Sequence, residues 1–72
     1  MKIFHFNDDW FNADAIARIR KFDRREYAGN RFCIIVTYTH RENEVGFDYK
    51  TAVERDNSYT TLISRWRQSS DD

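Results

Sequence analysis

Phe32, Ile34, Val36 and Tyr38 share one parity of a run rich in β-branched and aromatic side chains. Val45, Phe47 and Tyr49 resume the alternation after the polar break His40-Arg41-Glu42-Asn43-Glu44. This period of two predicts strands over 31–39 and 45–50 joined by a loop at 40–44. Thr51 and Glu54 then stand in the S/T-x-x-E relation of a capping box, which predicts a helix starting with no linker after the second strand. Tyr59, Leu62, Ile63 and Trp66 recur at i, i+3, i+4 and i+7, a single apolar stripe continued backwards by Ala52 or Val53. Arg65 and Arg67 suit the negative end of that helix. Burying the stripe requires it to lie on the hairpin face that carries Phe32, Ile34, Val36, Tyr38, Val45, Phe47 and Tyr49.

Upstream, residues 2–6 alternate Ile3 and His5 against Phe4 and Phe6, a short strand whose apolar side carries the two phenylalanines. Asn7-Asp8-Asp9 has the composition of a turn, after which Trp10 and Phe11 lead back towards the sheet. Two readings compete over 12–22. Asn12 is a good N-cap and Ile16, Ile19 and Phe22 recur every three residues, which favours a helix of about three turns. Alternatively a single helical turn at 13–16 leads into a strand over 17–22. The second is preferred, because a hairpin with one helix makes a thin core and a further strand gives the sheet independent stability. Ala28-Gly29-Asn30 marks the next turn, with Gly29 free to take positive φ. The fold class is therefore α+β: a small antiparallel meander of three to four strands packed against one C-terminal helix, with a short helix or helical turn near 13–22. Residues 1–67 form one domain, and 68–72 are expected to be a flexible tail.

Composition narrows the setting. A chain of 72 residues holds one core, and six Phe, four Tyr and two Trp supply bulk that small side chains could not. The single cysteine, Cys33, excludes an internal disulfide framework, so a reducing, cytoplasmic setting is expected. Acid at Asp8 and Asp9 interrupts any leader-like stretch, and the apolar run over 32–36 is far short of the roughly 20 residues of a membrane span, so solubility is expected. Twelve basic residues balance twelve acidic ones, so the net charge argues neither for a polybasic nucleic-acid binder nor for an acidic mimic of DNA. The charges are unevenly placed, however. Arg18, Arg20, Lys21, Arg24 and Arg25 face only Asp23 within residues 18–25, whereas the first fourteen residues hold Lys2 against Asp8, Asp9 and Asp14.

Asp9-Trp10-Phe11-Asn12-Ala13-Asp14-Ala15-Ile16-Ala17-Arg18-Ile19, followed by a hairpin, a Phe-Asp-Tyr strand and a terminal helix, resembles small single-domain proteins of bacteria and phages. These share the pattern aromatic, Asn, three residues, Ile, two residues, Ile, and are loosely pleckstrin-homology-like. The resemblance implies a strand over 17–22 and carries over no catalytic residue. It also implies action by binding a larger host protein, as phage members of this size often do, some small phage proteins being anti-CRISPR or other anti-defence inhibitors.

No arrangement of residues points to catalysis. His5, His40 and Cys33 lack metal-ligand spacing, and two isolated glycines cannot build a phosphate loop. Cys33 and His40 are seven residues apart, roughly 20 Å along a strand, too far for a nucleophile and its base. Neither enzyme activity nor a cofactor or metal is expected. With 17–25 as a strand, Arg18, Arg20 and Arg24 share a face with Phe22 between them. Such a face is either a solvated edge that discourages aggregation or a recognition surface. Cys33 and Ile35 lie on the face away from the helix, where either the amino-terminal segment with Trp10 and Phe11 covers them or they join a partner surface. The expected function is non-enzymatic docking on a larger protein through Trp10, Arg18, Arg20, Arg24, Arg25 and Arg41. The alternatives are a small nucleic-acid-binding module using the arginines with Phe22 or Trp10, and a homodimer formed through an edge strand or through Cys33 and Ile35.

Overall fold

The computed structural model describes residues 2–27, 29–40, 42 and 44–70. Among the described residues, five strands form two antiparallel sheets, completed by one short 3-10 turn and one long helix. Strands β1 (Ile3–Phe6) and β2 (Asp9–Asn12) make a hairpin in which Phe6 pairs with Asp9, so the connection is only Asn7 and Asp8. Both take positive φ, 52° and 65°, as a mirror-image two-residue turn demands, and Asn and Asp tolerate that region better than most residues. The turn foreseen at residues 7–9 is thus tighter than its composition suggests.

A 3-10 turn (Ala13–Ala15) follows, capped by the Asn12 side chain, which accepts from the Asp14 N–H at 3.0 Å. Strands β3 (Ile16–Glu26), β4 (Gly29–Tyr38) and β5 (Val45–Tyr49) then build a meander in that order. The turn-plus-strand reading of 12–22 is what the fold adopts, and the helical reading is not. Its three-residue spacing arises because the register slips between Ile16 and Arg18. That bulge at Ala17 lets Ile16 and Ile19 reach the same face although their separation is odd. Phe22 consequently falls on the opposite face. The expected turn at 28–30 also begins earlier, because Glu26 already pairs with Gly29; Gly29 has φ of 128° as its type allows.

Helix α1 (Ala52–Ser70) begins where Thr51 Oγ1 accepts from the Glu54 N–H at 3.1 Å. It continues through Gln68, Ser69 and Ser70, past the expected start of a tail. Leu62 is fully buried, and Tyr59, Ile63 and Trp66 pack around it, as the stripe requires. Backwards, the stripe runs through Arg55, 7% exposed, while Val53 is 69% exposed.

Helix, sheet and hairpin share one core of Phe4, Phe6, Phe11, Ile16, Ile19, Ile34, Val36, Phe47 and Leu62. Phe47 is its aromatic hub, edge-on to Phe6 at 5.5 Å and to Phe11 at 6.1 Å. Two polar clasps close the ends of the chain on each other: Trp66 Nε1 donates to the Ala13 carbonyl at 3.0 Å, and Arg65 to the His5 carbonyl at 2.7 Å. The hairpin therefore packs on the same side of the meander as the helix. It does not cover Cys33 and Ile35, contrary to one of the two expectations, because Phe47 draws Phe6 and Phe11 to the other face. No helix among the described residues is long and apolar enough to cross a membrane.

Candidate functional site

With helix and hairpin on one side, the other face of the meander has no covering layer of secondary structure among the described residues. Side chains alternate along a strand, so the register assigns this face. Arg18 stands opposite Thr37, Arg20 opposite Ile35, Phe22 opposite Cys33 and Arg24 opposite Arg31, with Asp48 of β5 beside Cys33. Arg18, Arg20 and Arg24 do share a face with Phe22 among them, and Phe22 is 46% exposed.

The arginines do not project at random. Arg20 donates to Glu44 Oε2 at 3.2 Å, and Thr37 Oγ1 donates to the same oxygen at 2.9 Å. These bonds, the Thr37 one foremost, hold the Glu44 carboxyl below its usual range. One step along, Arg24 donates to Asp48 Oδ2 at 3.4 Å while the Cys33 thiol donates to Asp48 Oδ1 at 3.1 Å. Ile35 and Cys33 thus sit between two arginine–carboxylate pairs, with Phe22 at the outer strand.

Burial first, and then the bond to Asp48, pushes the Cys33 thiol up from its ordinary range. A protonated, buried thiol is a poor nucleophile. Its polar partner is a carboxylate, whereas His40 lies beyond the end of β4 and lines a different groove. Cys33 should therefore react with iodoacetamide at least about tenfold more slowly in the native protein than in denaturant, followed by intact-mass spectrometry. Equal rates would show that the sheet face opens freely.

Trp10 is 72% exposed on the outer side of the amino-terminal hairpin, its ring tilted against His5 at 4.9 Å. It borders a groove of about 310 Å³ lined also by Ile3, Phe11, Asn12, Ala15, Tyr38 and His40. Arg18, Arg20, Arg24 and Arg25 do not line that groove, so Trp10 and the arginine face of β3 are separate surfaces. Arg25 falls on the other side of β3 from Arg24, opposite Asn30. Arg41 lies outside the described residues. Among the described residues no three His, Cys, Asp or Glu side chains come together as metal ligands.

No known protein family, curated protein or solved structure matches this chain. Function must therefore be argued from surfaces. Reasoning from the sequence found the arginines but missed their anchors, since Glu44 closes a loop and only the β4–β5 register brings Asp48 beside Cys33. It also missed Arg55, whose place four residues before Tyr59 and seven before Leu62 puts it on the apolar stripe.

Proposed function

We propose that this protein is a non-enzymatic binding protein that docks on a larger protein through the helix-free face of its meander. The observation that carries the reading is Phe22, a half-exposed aromatic set among Arg18, Arg20 and Arg24 on an otherwise uncovered sheet face. Aromatic and arginine side chains dominate binding energy at protein interfaces. A protein partner suits this face better than nucleic acid does. Glu44 and Asp48 already engage Arg20 and Arg24, and carboxylates interleaved with the cations would repel a phosphate backbone, whose affinity comes from neutralisation by free cations. The resemblance to small phage and bacterial proteins adds a partner class, a host defence protein that binding would inhibit.

Affinity purification from the native host, followed by quantitative binding, tests the reading. A stoichiometric protein partner is expected, and the double variant R20E/R24E should weaken the complex by about 2 kcal/mol or more, roughly thirtyfold. Both ion pairs are nearly half exposed, so losing them should lower stability by less than about 1 kcal/mol each, and a melting curve separates that from lost binding. Recovery of no protein partner, together with oligonucleotide binding that falls steeply between about 50 and about 200 mM salt, would transfer the function to nucleic acid.

A further inference from the structure

The groove beside Trp10 runs between the amino-terminal hairpin and the end of β4, and the 3-10 turn ties these two walls together. The Ala13 N–H donates to the Lys2 carbonyl at 2.7 Å, and the Thr39 N–H donates to the Ala15 carbonyl at 2.9 Å. Phe11 lines the groove from the core, 4% exposed and stacked with Phe4 at 5.5 Å. The walls are therefore fixed before anything binds. A volume of about 310 Å³ stands at the small end of the range of about 300–1,000 Å³ typical of ligand pockets.

The lining favours one kind of molecule. Trp10 on the hairpin side and Tyr38 and His40 on the β4 side present aromatic rings, and Trp10 is too exposed to belong to the core. Flat rings attract one another beyond the area they bury, in offset or edge-to-face geometry. Asn12 adds a directed polar group. Its Oδ1 already accepts from the Asp14 N–H at 3.0 Å, which fixes the amide and leaves its NH2 to donate. Among the described residues no Lys, Arg, Asp or Glu lines the groove, so a carboxylate or phosphate would enter without a counter-charge.

We propose that this groove binds a free small molecule, a neutral planar heteroaromatic of one or two rings that carries a hydrogen-bond acceptor. Its ring stacks between Trp10 and the pair Tyr38 and His40, and its acceptor takes the Asn12 amide proton. The absence of lining cations among the described residues favours a free molecule over a base within a nucleic-acid strand, whose phosphates need neutralising. The site is separate from the arginine face of β3, so it does not depend on docking there.

Caffeine, a neutral two-ring heteroaromatic whose polar atoms only accept, is the probe, and amide NMR of isotope-labelled protein is the readout. Saturable shifts are expected at Ile3, Trp10, Asn12, Ala15 and His40, half-complete at about 1 mM or below, an affinity within reach of so small a ligand. Trp10→Ala should weaken binding at least about fivefold, the loss typical of a stacking ring. Its side chain is 72% exposed, so the core signals should keep their positions. Asn12→Asp retains the oxygen that caps the 3-10 turn but not the donor, and should weaken binding about threefold or more. The double variant R20E/R24E should leave caffeine binding unchanged, so this site and the docking face fail separately. N-cyclohexylpyrrolidone offers a similar acceptor without an aromatic ring, and equal affinity for it would overturn the aromatic class of ligand. A short single-stranded oligonucleotide that shifts the same amides at lower concentration than caffeine would give the groove to nucleic acid. Absence of saturable groove shifts up to about 10 mM caffeine, a tenfold excess over the expected midpoint, would overturn the site itself.

Discussion

Leu62→Ala is expected to destabilise the domain by about 3–4 kcal/mol, and by more than any surface change. Leu62 is fully buried at the point where helix, hairpin and meander meet. Truncation there removes apolar contacts from all three layers and leaves a cavity that strands held in fixed register can collapse into only partly. A domain of this length has a total stability of about 4–11 kcal/mol, so the variant could lose half or more of it. At about 4–8 °C per kcal/mol the melting temperature should fall by about 12–32 °C, read by circular dichroism. Leu62→Met, which nearly keeps the volume, should cost less than about 1.5 kcal/mol. A loss below about 1 kcal/mol for the alanine variant would mean that the helix does not close the core.

The same residue shows what a sequence can reveal. Leu62 could be placed in the core because the helical stripe and the strand alternation each follow a local period, and burying one requires the other. The arrangement of the first half was harder to read because its signals are exceptions to period. Ile16 and Ile19 mimic helical spacing, and only a bulge at Ala17, set by pairing with β4, turns the same spacing into a strand. Asn7-Asp8 lacks the glycine that usually announces a two-residue hairpin, so β2 was legible only as a segment returning to the sheet. The hairpin's side of the meander depended on Phe47 gathering Phe6 and Phe11, a contact between residues far apart in sequence.

The arginine face was legible for a related reason. Once residues 17–25 are a strand, alternation alone puts Arg18, Arg20, Phe22 and Arg24 together. Alternation cannot say which of them are tethered, because Glu44 and Asp48 reach them from other strands and a loop. Nor could it reveal that the paired ends of β3 and β4 run on past β5, which stops at Tyr49 where the chain turns into the helix. The end of one strand defines the exposed length of two others.

Arg55→Ala is expected to cost about 2–3 kcal/mol, the second-largest effect, by releasing the helix from β3 at Phe22 and Asp23. Its side chain is 8% exposed and serves Asp23 at 2.6 Å and Asp56 at 2.8 Å, with its guanidinium over the Phe32 ring at 5.6 Å. The bond to Asp23 above all, opposed by burial, holds its pKa above the ordinary arginine value. Both carboxylates are at least half exposed and can rehydrate, which keeps the loss below the 3–5 kcal/mol typical when a buried charge is stranded. Arg55→Met keeps the stem and removes the fork, so it separates packing from charge. Stability equal to the native protein would show that packing alone holds the joint. Lysine restores charge but offers no planar fork to reach two carboxylates in this geometry. Acid should weaken the same joint. Arg55, and then Lys21, hold the Asp56 carboxyl below its ordinary value, so its contribution is present above about pH 3.9 and lost as pH falls through the lower native value. If Arg55 anchors the helix to this end of the sheet, amide exchange in Arg55→Ala should accelerate at Phe22, Asp23 and Phe32 beyond the acceleration at Ile34 and Val36. Uniform acceleration would mean that Arg55 supports the whole fold and holds this end of the sheet no more firmly than the rest.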